Sequence, residues 1–385
     1  MAEAFTQQEI NQLLIMVNGA SDETIKLQNK FSKEQLQAVS YIHETFANLT
    51  TNRFPAYIQS MCHVRVLSVD EHTYDEFISS APAPSTLAVV NMNPLKGNAI
   101  LEISSEITFA IIDRLCGGSG NGTQFQHQLT DIETSIMETV IAHILGNMRE
   151  AWNQVIDMNP QVKAIDTDPQ SVRIVSPNEI VILVTLGTKI GKAEGMINIC
   201  IPSSTIEPIM EKLTNWYWNK NQDNTQSTSS ITEKPSEEKS GHIPKENDGK
   251  NFRSFDYLNS VGASRLLDII YNEHPQIIAL VLAHMEANKA AVILLNFYYD
   301  MQSNVLRRII TMDRVRLEIA SEIERVLENK LIALSSEEKN YSMAGGFESA
   351  VKIFNLLDQV SSKEIIDKFE KEDPELLEEI LKRAD

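Results

Sequence analysis

The sequence predicts an α/β layered domain, then a flexible linker, then an all-α, armadillo-like bundle of short helices. Three observations carry this reading. Helical apolar stripes alternate with β-rich runs through the first half. Residues 219–251 hold only Ile231 and Ile243 as sizeable apolar side chains, too few to offset the entropy of ordering the segment. From residue 252 onward the apolar spacing is helical, with no long β-branched run.

The chain opens, over residues 1–30, with a short helical pattern on a tether. Thr6-Gln7-Gln8-Glu9 is a capping box, and Ile10, Leu13, Leu14 and Val17 follow on one face. Capture of this peptide in a partner's groove and docking or fraying on its own domain both fit the periodicity.

The α/β domain occupies residues 31–218. Leu36, Val39, Ile42, Phe46 and Leu49 form one helical stripe; Ile132, Ile136, Val140, Ile144 and Met148 form another, begun by the capping box Thr130-Asp131-Ile132-Glu133. Strands are expected over 62–69, 86–91, 98–103, 179–189 and 195–201. Residues 252–385 read as short helices over 266–270, 277–285, 290–297, 305–310, 319–334, 347–357, 363–369 and 374–382. Turns at Asn272, Pro275, Asn288 and Gly345-Gly346 separate them.

Composition narrows the function classes. A formal charge of −19, from 53 acidic and 34 basic residues, disfavours nonspecific nucleic-acid binding and attraction to an anionic bilayer. No run is long and apolar enough to cross a membrane, and the first residues lack a signal-peptide pattern, so a cytoplasmic protein with protein partners is expected. Cys62, Cys116 and Cys200 are far apart and lack CxxC spacing, which reads as buried thiols; no metal or cofactor is expected.

Two motifs stand out. In Arg114-Leu115-Cys116-Gly117-Gly118-Ser119-Gly120-Asn121-Gly122 a helix precedes the glycines and no Lys-Ser/Thr follows, the wrong context for a phosphate cradle. A mobile loop whose backbone approaches a partner fits better. In Glu273-His274-Pro275-Gln276, Pro275 suits the first turn of a helix with His274 near its cap. No nucleophile is placed by any local motif to use that histidine, so a partly exposed docking surface is expected rather than catalysis. The acidic stretch around Glu372-Asp373-Pro374-Glu375 reads as a helix start with a solvated face.

Residues 31–216 resemble the middle domain of the flagellar motor switch protein FliM. The stretches that carry the likeness are Phe31-Ser32-Lys33-Glu34-Gln35-Leu36, Pro94-Leu95-Lys96-Gly97, Ile111-Ile112-Asp113-Arg114-Leu115, Leu129-Thr130-Asp131-Ile132-Glu133, Pro177-Asn178-Glu179 and Ile199-Cys200-Ile201-Pro202. Residues 252–383 resemble the middle domain of the motor switch protein FliG. There the likeness rests on Asn272-Glu273-His274-Pro275-Gln276, Arg308-Ile309-Ile310-Thr311-Met312-Asp313-Arg314, Gly345-Gly346-Phe347-Glu348 and Glu372-Asp373-Pro374-Glu375-Leu376.

The resemblance implies a FliM/CheC-like α/β/α fold, an armadillo-like FliG part, and a non-catalytic place in the cytoplasmic ring of the flagellar basal body, peripheral to the inner membrane. It implies docking of Arg114, Gly117, Gly118, Ser119 and Gly120 on Glu273, His274, Pro275 and Gln276, within the chain or between neighbours of a ring-forming homo-oligomer. The linker's root-mean-square span of roughly 30 Å allows either. Thr6–Leu14 is similar to the FliM peptide that binds phosphorylated CheY, with Gln7, Glu9, Ile10, Leu13 and Leu14 as contacts and Asn11 where an acid is usual, a change that weakens or alters it. The resemblance covers neither the FliM domain that engages FliN nor the FliG domains that meet FliF and the stator, so those contacts are not expected of this chain.

Two alternatives remain. CheC-like CheY-phosphate phosphatases, related in fold, need Asp/Ser-x3-Glu-x2-Asn on one helix face. Here Ser40 and Glu44 are followed by Ala47, Asp131 by Ser135, and Thr134 and Glu138 by Ile141. The other is an assembly adaptor or a fusion, natural or engineered, of two switch domains.

Overall fold

In the computed structural model of the chain, the described residues are 30–120, 127–226, 255–340, 365–366 and 368–369. The expected N-terminal peptide, most of the linker and the last helical patterns lie outside them. Residues Met1–Leu327 form one unit and Glu328–Asp385 another.

The α/β domain begins with helix α1 (Lys33–Ile58), whose N-cap Ser32 makes a reciprocal capping box with Gln35. Its expected stripe is largely inside: Val39, Ile42 and Phe46 are buried, and Leu36 and Leu49 half-buried. Strand β1 (Cys62–Thr73), helix α2 (Tyr74–Ser80), the hairpin β2 (Thr86–Asn91) and β3 (Asn98–Ile103), and helix α3 (Ser105–Leu115) follow. Helix α4 (Asp131–Trp152) starts at the expected Thr130–Glu133 box, and its stripe is buried from Ile132 to Met148. Then come β4 (Gln161–Asp166), a 3-10 turn at Pro169–Ser171, the hairpin β5 (Ile180–Ile190) and β6 (Ala193–Pro202), the short helix α5 (Ser203–Ile206), and α6 (Met210–Gln226).

The six strands form one antiparallel sheet in the order β1-β5-β6-β3-β2-β4. The order is unchanged if β1, β2 and β3 are exchanged with β4, β5 and β6. Each half thus supplies a long helix, an edge strand, a short helical turn and a hairpin. On one face Tyr74, Phe77 and Ile78 of α2 pack on Leu87, Ile100, Val181 and Cys200. Strand alternation turns the buried Val184, Leu186, Ile199 and Leu101 to the opposite face. There α1, α3 and α4 contact one another. β5 opens with an unbroken apolar run, Ile180–Val184, because both its faces are covered.

Three differences from expectation have physical causes. β4 is short, mixed in polarity and buried at none of its positions, an edge strand without the inside–outside pattern that marks a half-buried one. α2 is short, and its signal is the Thr73–Glu76 capping box alone. Finally, the expected linker starts too early, since α6 continues to Gln226. Lys220 lies over the rings of Tyr41 and Trp216 and donates to Gln154, which ties polar residues past 218 to the domain.

In the first unit the helical region holds a 3-10 turn at Asp256–Ser260, then α7 (Ala263–Ile270), α8 (Pro275–Ala283), α9 (Ala287–Leu294), α10 (Tyr299–Thr311) and the start of α11 (Leu317–Asn340). α8 is apolar apart from Gln276 and buried at every position from 275 to 282, the pattern of a helix enclosed on all sides. In the second unit, 328–340 are helical, as are 365–366 and 368–369.

Candidate functional site

The described ends of the connection between the two halves of the sheet, residues 116–120 and 127–130, are where the helical region meets the α/β domain. α3 ends at Cys116, and the chain turns back through Gly117 (φ +82°) and Gly120 (φ +71°), conformations open to glycine at little cost. Asp113 braces this turn. Its carbonyl accepts from Gly118 N–H at 2.7 Å and its Oδ2 from Gly120 N–H at 2.6 Å. A Cβ at Gly118 would lie 2.4 Å from that carboxylate. Arg114 donates to the Gly118 carbonyl at 2.7 Å and to the Gln59 carbonyl, so it props the loop from within its own domain.

From the helical region, His274 is the N-cap of α8 and Pro275 its first residue, as the sequence suggests. The helix start is buried, however, not partly exposed: Glu273, His274, Pro275 and Gln276 are all inside. The α/β domain is what covers them.

Gln276 is the centre of the contact. Its Nε2 donates to the Cys116 carbonyl at the end of α3 (3.0 Å), while its Oε1 accepts from Arg308 Nη1 at 2.8 Å. The same Arg308 nitrogen pairs with Asp113. His274 N–H donates to Glu133 Oε1 at 3.0 Å, and Thr130 Oγ1 donates to Glu273 Oε2 at 2.5 Å. Thus the capping box that starts α4 also holds the cap of α8. Gly117 O accepts from Asp313 N–H at 2.8 Å, and a Cβ on Gly117 would sit 2.8 Å from the Asp313 carbonyl. Ser119 is exposed and shares a polar recess with Gln276, Arg307 and Arg308.

Burial sets the charge states. His274, stacked on Phe109 at 5.9 Å between centroids, is held well below the ordinary histidine pKa by desolvation, then by Arg308 and His127. Its Nδ1 accepts from Gln276 N–H, a role for the neutral ring. His127 is pushed the other way by its hydrogen bond to Glu133, at 3.1 Å. Burial raises the Cys116 thiol far above its usual range. Nothing here resembles an activated nucleophile, and the described residues contain no cluster able to hold a metal ion.

Comparison with known proteins follows this division. Residues 32–218 match the family described as flagellar motor switch protein FliM. FliM of Treponema pallidum is 51% identical over 234 residues, covering 57% of this chain and 68% of that protein. The chain belongs to the FliM family of flagellar motor switch proteins. Residues 263–338 match the FliG middle domain. FliG of Borreliella burgdorferi is 45% identical over 131 residues, covering 34% of this chain and 38% of that protein. A chain of a crystal structure described as a FliG-FliM complex from H. pylori aligns with TM-score 0.46 and 36% identity, over 47% of this chain and 100% of that one. The chain therefore spans about two thirds of a FliM relative and little more than a third of a FliG relative. It is a component of the flagellar motor switch with a FliM part and a region that matches the FliG middle domain.

Of the residues singled out in sequence, Gly117, Glu273, His274 and Gln276 meet where the helical region packs on the α/β domain, whereas Arg114 and Gly120 shape the loop behind it. Sequence reasoning did not single out Asp113, Thr130, Glu133, Ser135, Arg308 or Glu322 as contacts. Thr130 and Glu133 were visible as a capping box and as part of a FliM-like stretch, and Ser135 bonds Glu322 from 187 residues away, a pairing no local spacing reveals. On the phosphatase alternative, Glu44 and Asn48 are exposed while Ala47 is buried, so the required Asn position on α1 faces the core. On α4, Ser135 and Ile141 are buried too.

Proposed function

We propose that this seam is the FliM–FliG joint of the motor switch, made through the Gly117–Gly120 turn and the helix start at Glu273–Gln276. The reading rests chiefly on Gln276, a fully buried amide whose two ends meet the FliM-type carbonyl of Cys116 and the Asp113–Arg308 pair. A side chain satisfied only when both domains are present marks an interface. The role is structural, without catalysis. The chain sits in the cytoplasmic ring of the basal body, peripheral to the membrane, and repeats around that ring as a homo-oligomer. Residues 6–14 would receive phosphorylated CheY and pass its signal through the tether to the FliM-type domain, with Asn11 lowering the affinity. The domains are residues 31–218 and 252–385 with 219–251 between them, apart from the helical extension to Gln226.

The test places a protease site in the linker of the full chain. After cleavage, the halves should co-elute when diluted to nanomolar concentration and separate when Gln276→Ala and Arg308→Ala are combined. Separation of the unsubstituted halves would overturn the reading. A complex of twice the expected mass would mean that neighbours exchange domains, and titration with phosphorylated CheY tests residues 6–14 independently.

A further inference from the structure

Away from the glycine turn and the Glu273–Gln276 helix start, the FliG part touches the FliM-type domain at a second place, the C-terminal end of α1. That helix ends unusually. Gln59 adopts the left-handed conformation, and the last turn carries no basic side chain of its own to offset the partial negative charge of its free carbonyls. Both lacks are met by arginines from elsewhere. Arg114 of α3 donates to the Gln59 carbonyl. Arg316, which lies 259 residues beyond Tyr57, donates through Nη1 to the carbonyls of Ala56 (3.3 Å) and Tyr57 (3.2 Å). Its guanidinium also lies 4.7 Å from the centre of the Tyr57 ring.

The surroundings extend this contact into a small cluster. Tyr57 packs at 4.0 Å on His143 of α4, and His143 faces Glu318 at 3.8 Å. Nearer the α4 N-terminus, the Ser135 hydroxyl meets Glu322 and accepts from Arg325 at 3.2 Å. Arg316, Glu318 and Glu322 lie just before or within the first two turns of α11. The first turns of that helix are therefore bound to two different FliM-type helices. Tyr57 is pushed up to about 12, mainly by burial and then by Glu318, and its hydroxyl has no hydrogen-bond partner among the described residues. Its use here is the ring, not the oxygen.

We infer that Arg316 is a second docking determinant, which caps α1 from the FliG side and fixes the first turns of α11 against the FliM-type domain. This rests on the joint proposed above but does not follow from it. The contacts around Gln276 engage the end of α3, the glycine turn and the start of α4; Arg316 adds a contact to a further FliM-type helix, α1, which resists tilting about that cluster. Arginine suits the place because its planar fork can bond two carbonyls while stacking on a ring, which the single ammonium of lysine cannot match.

The experiment uses the full chain and reads two things. Hydrogen exchange reports the last turn of α1 and the first turn of α8 separately. Spin labels at Lys212→Cys and Ser321→Cys, both exposed positions, report the distance between the FliM-type domain and α11. The three native cysteines are buried and should stay unlabelled.

Arg316→Ala should raise exchange in the α1 end about tenfold, as expected for losing a charge-assisted bond, and broaden the label distance distribution. Protection of residues 276–280 should persist. Arg316→Lys should restore the α1 protection only in part, and Tyr57→Phe should change neither signal. Unchanged exchange and an unchanged distance distribution in Arg316→Ala would overturn the inference. Failure of the joint itself would look different, with Gln276→Ala leaving residues 276–280 protected and the labels undisturbed.

Discussion

Asp113 and Arg308 lie 195 residues apart, on the FliM-type and FliG-type parts, and form an ion pair from which solvent is almost excluded, with 2% and 11% of their side chains exposed. Neither charge is left to the other alone. Asp113 also accepts from Gly120 N–H, and Arg308 also donates to Gln276. Desolvating two charges is costly, and the added bonds are what make the burial tolerable.

The first prediction concerns this pair. Removing one partner leaves the other charge buried, a loss of about 3–5 kcal/mol. Arg308→Ala should therefore weaken docking of the linker-cleaved halves by about two to nearly four orders of magnitude, measured by titration calorimetry. Arg308→Met should do less harm when Asp113→Asn is present too, because the uncompensated carboxylate is then gone. Equal losses in the single and double variants would contradict this account.

Glycine substitutions separate the seam from the scaffold. At Gly117 a side chain must take a left-handed φ and would press on the Asp313 carbonyl, so Gly117→Ala should abolish docking while leaving the FliM-type domain folded by circular dichroism. Gly146 lies in α4 at an exposed position, and a Cβ added there would meet nothing within 4 Å. Gly146→Ala should stabilise the chain by up to about 1 kcal/mol, seen as a higher midpoint in urea.

Docking should weaken in acid, and His274 sets the sign. Within the seam its pKa is well below the ordinary value; released from the seam and solvated, it returns towards about 6.5. The undocked state therefore binds the extra proton, and docking falls by up to tenfold per pH unit below about 6.5. His127 works in the opposite sense, since its raised pKa favours the folded form in acid, and that contribution fades as pH rises through the raised value. Its partner Glu133 lies on the same FliM-type domain, so this bears on domain stability more than on docking. His274→Asn keeps a capping acceptor that does not titrate. Calorimetry from pH 5 to 8 should find it weaker but flatter; a slope equal to that of the unaltered chain would remove His274 from the explanation.

Cys116 offers a readout that needs no label elsewhere. Its thiol is fully buried with a strongly raised pKa, while its carbonyl faces Gln276. Iodoacetamide at pH 8 should modify Cys62, Cys116 and Cys200 only slowly, because thiolate is the reactive form. In Gln276→Ala with Arg308→Ala, mass spectrometry should show Cys116 alone reacting faster.

Sequence by itself determined the local chemistry of this protein. The Thr130–Glu133 box, the stripe from Ile132 to Met148, the hairpin strands Thr86–Asn91 and Asn98–Ile103, and Pro275 opening a helix all act between residues a few positions apart, so spacing reveals them. The family likeness added which motifs should meet. It did not extend to β4, whose edge position leaves no buried face to read, or to the true end of α6, which Lys220 and the aromatic pair Tyr41 and Trp216 extend. Only the tertiary structure decided that an apparently exposed helix start is buried, that one capping box serves two helices, and that Asp113 faces Arg308 and Tyr57 faces Arg316. Those are contacts across 140 to 260 residues of chain, where burial and charge compensation depend on what folding brings alongside and not on what stands next in sequence.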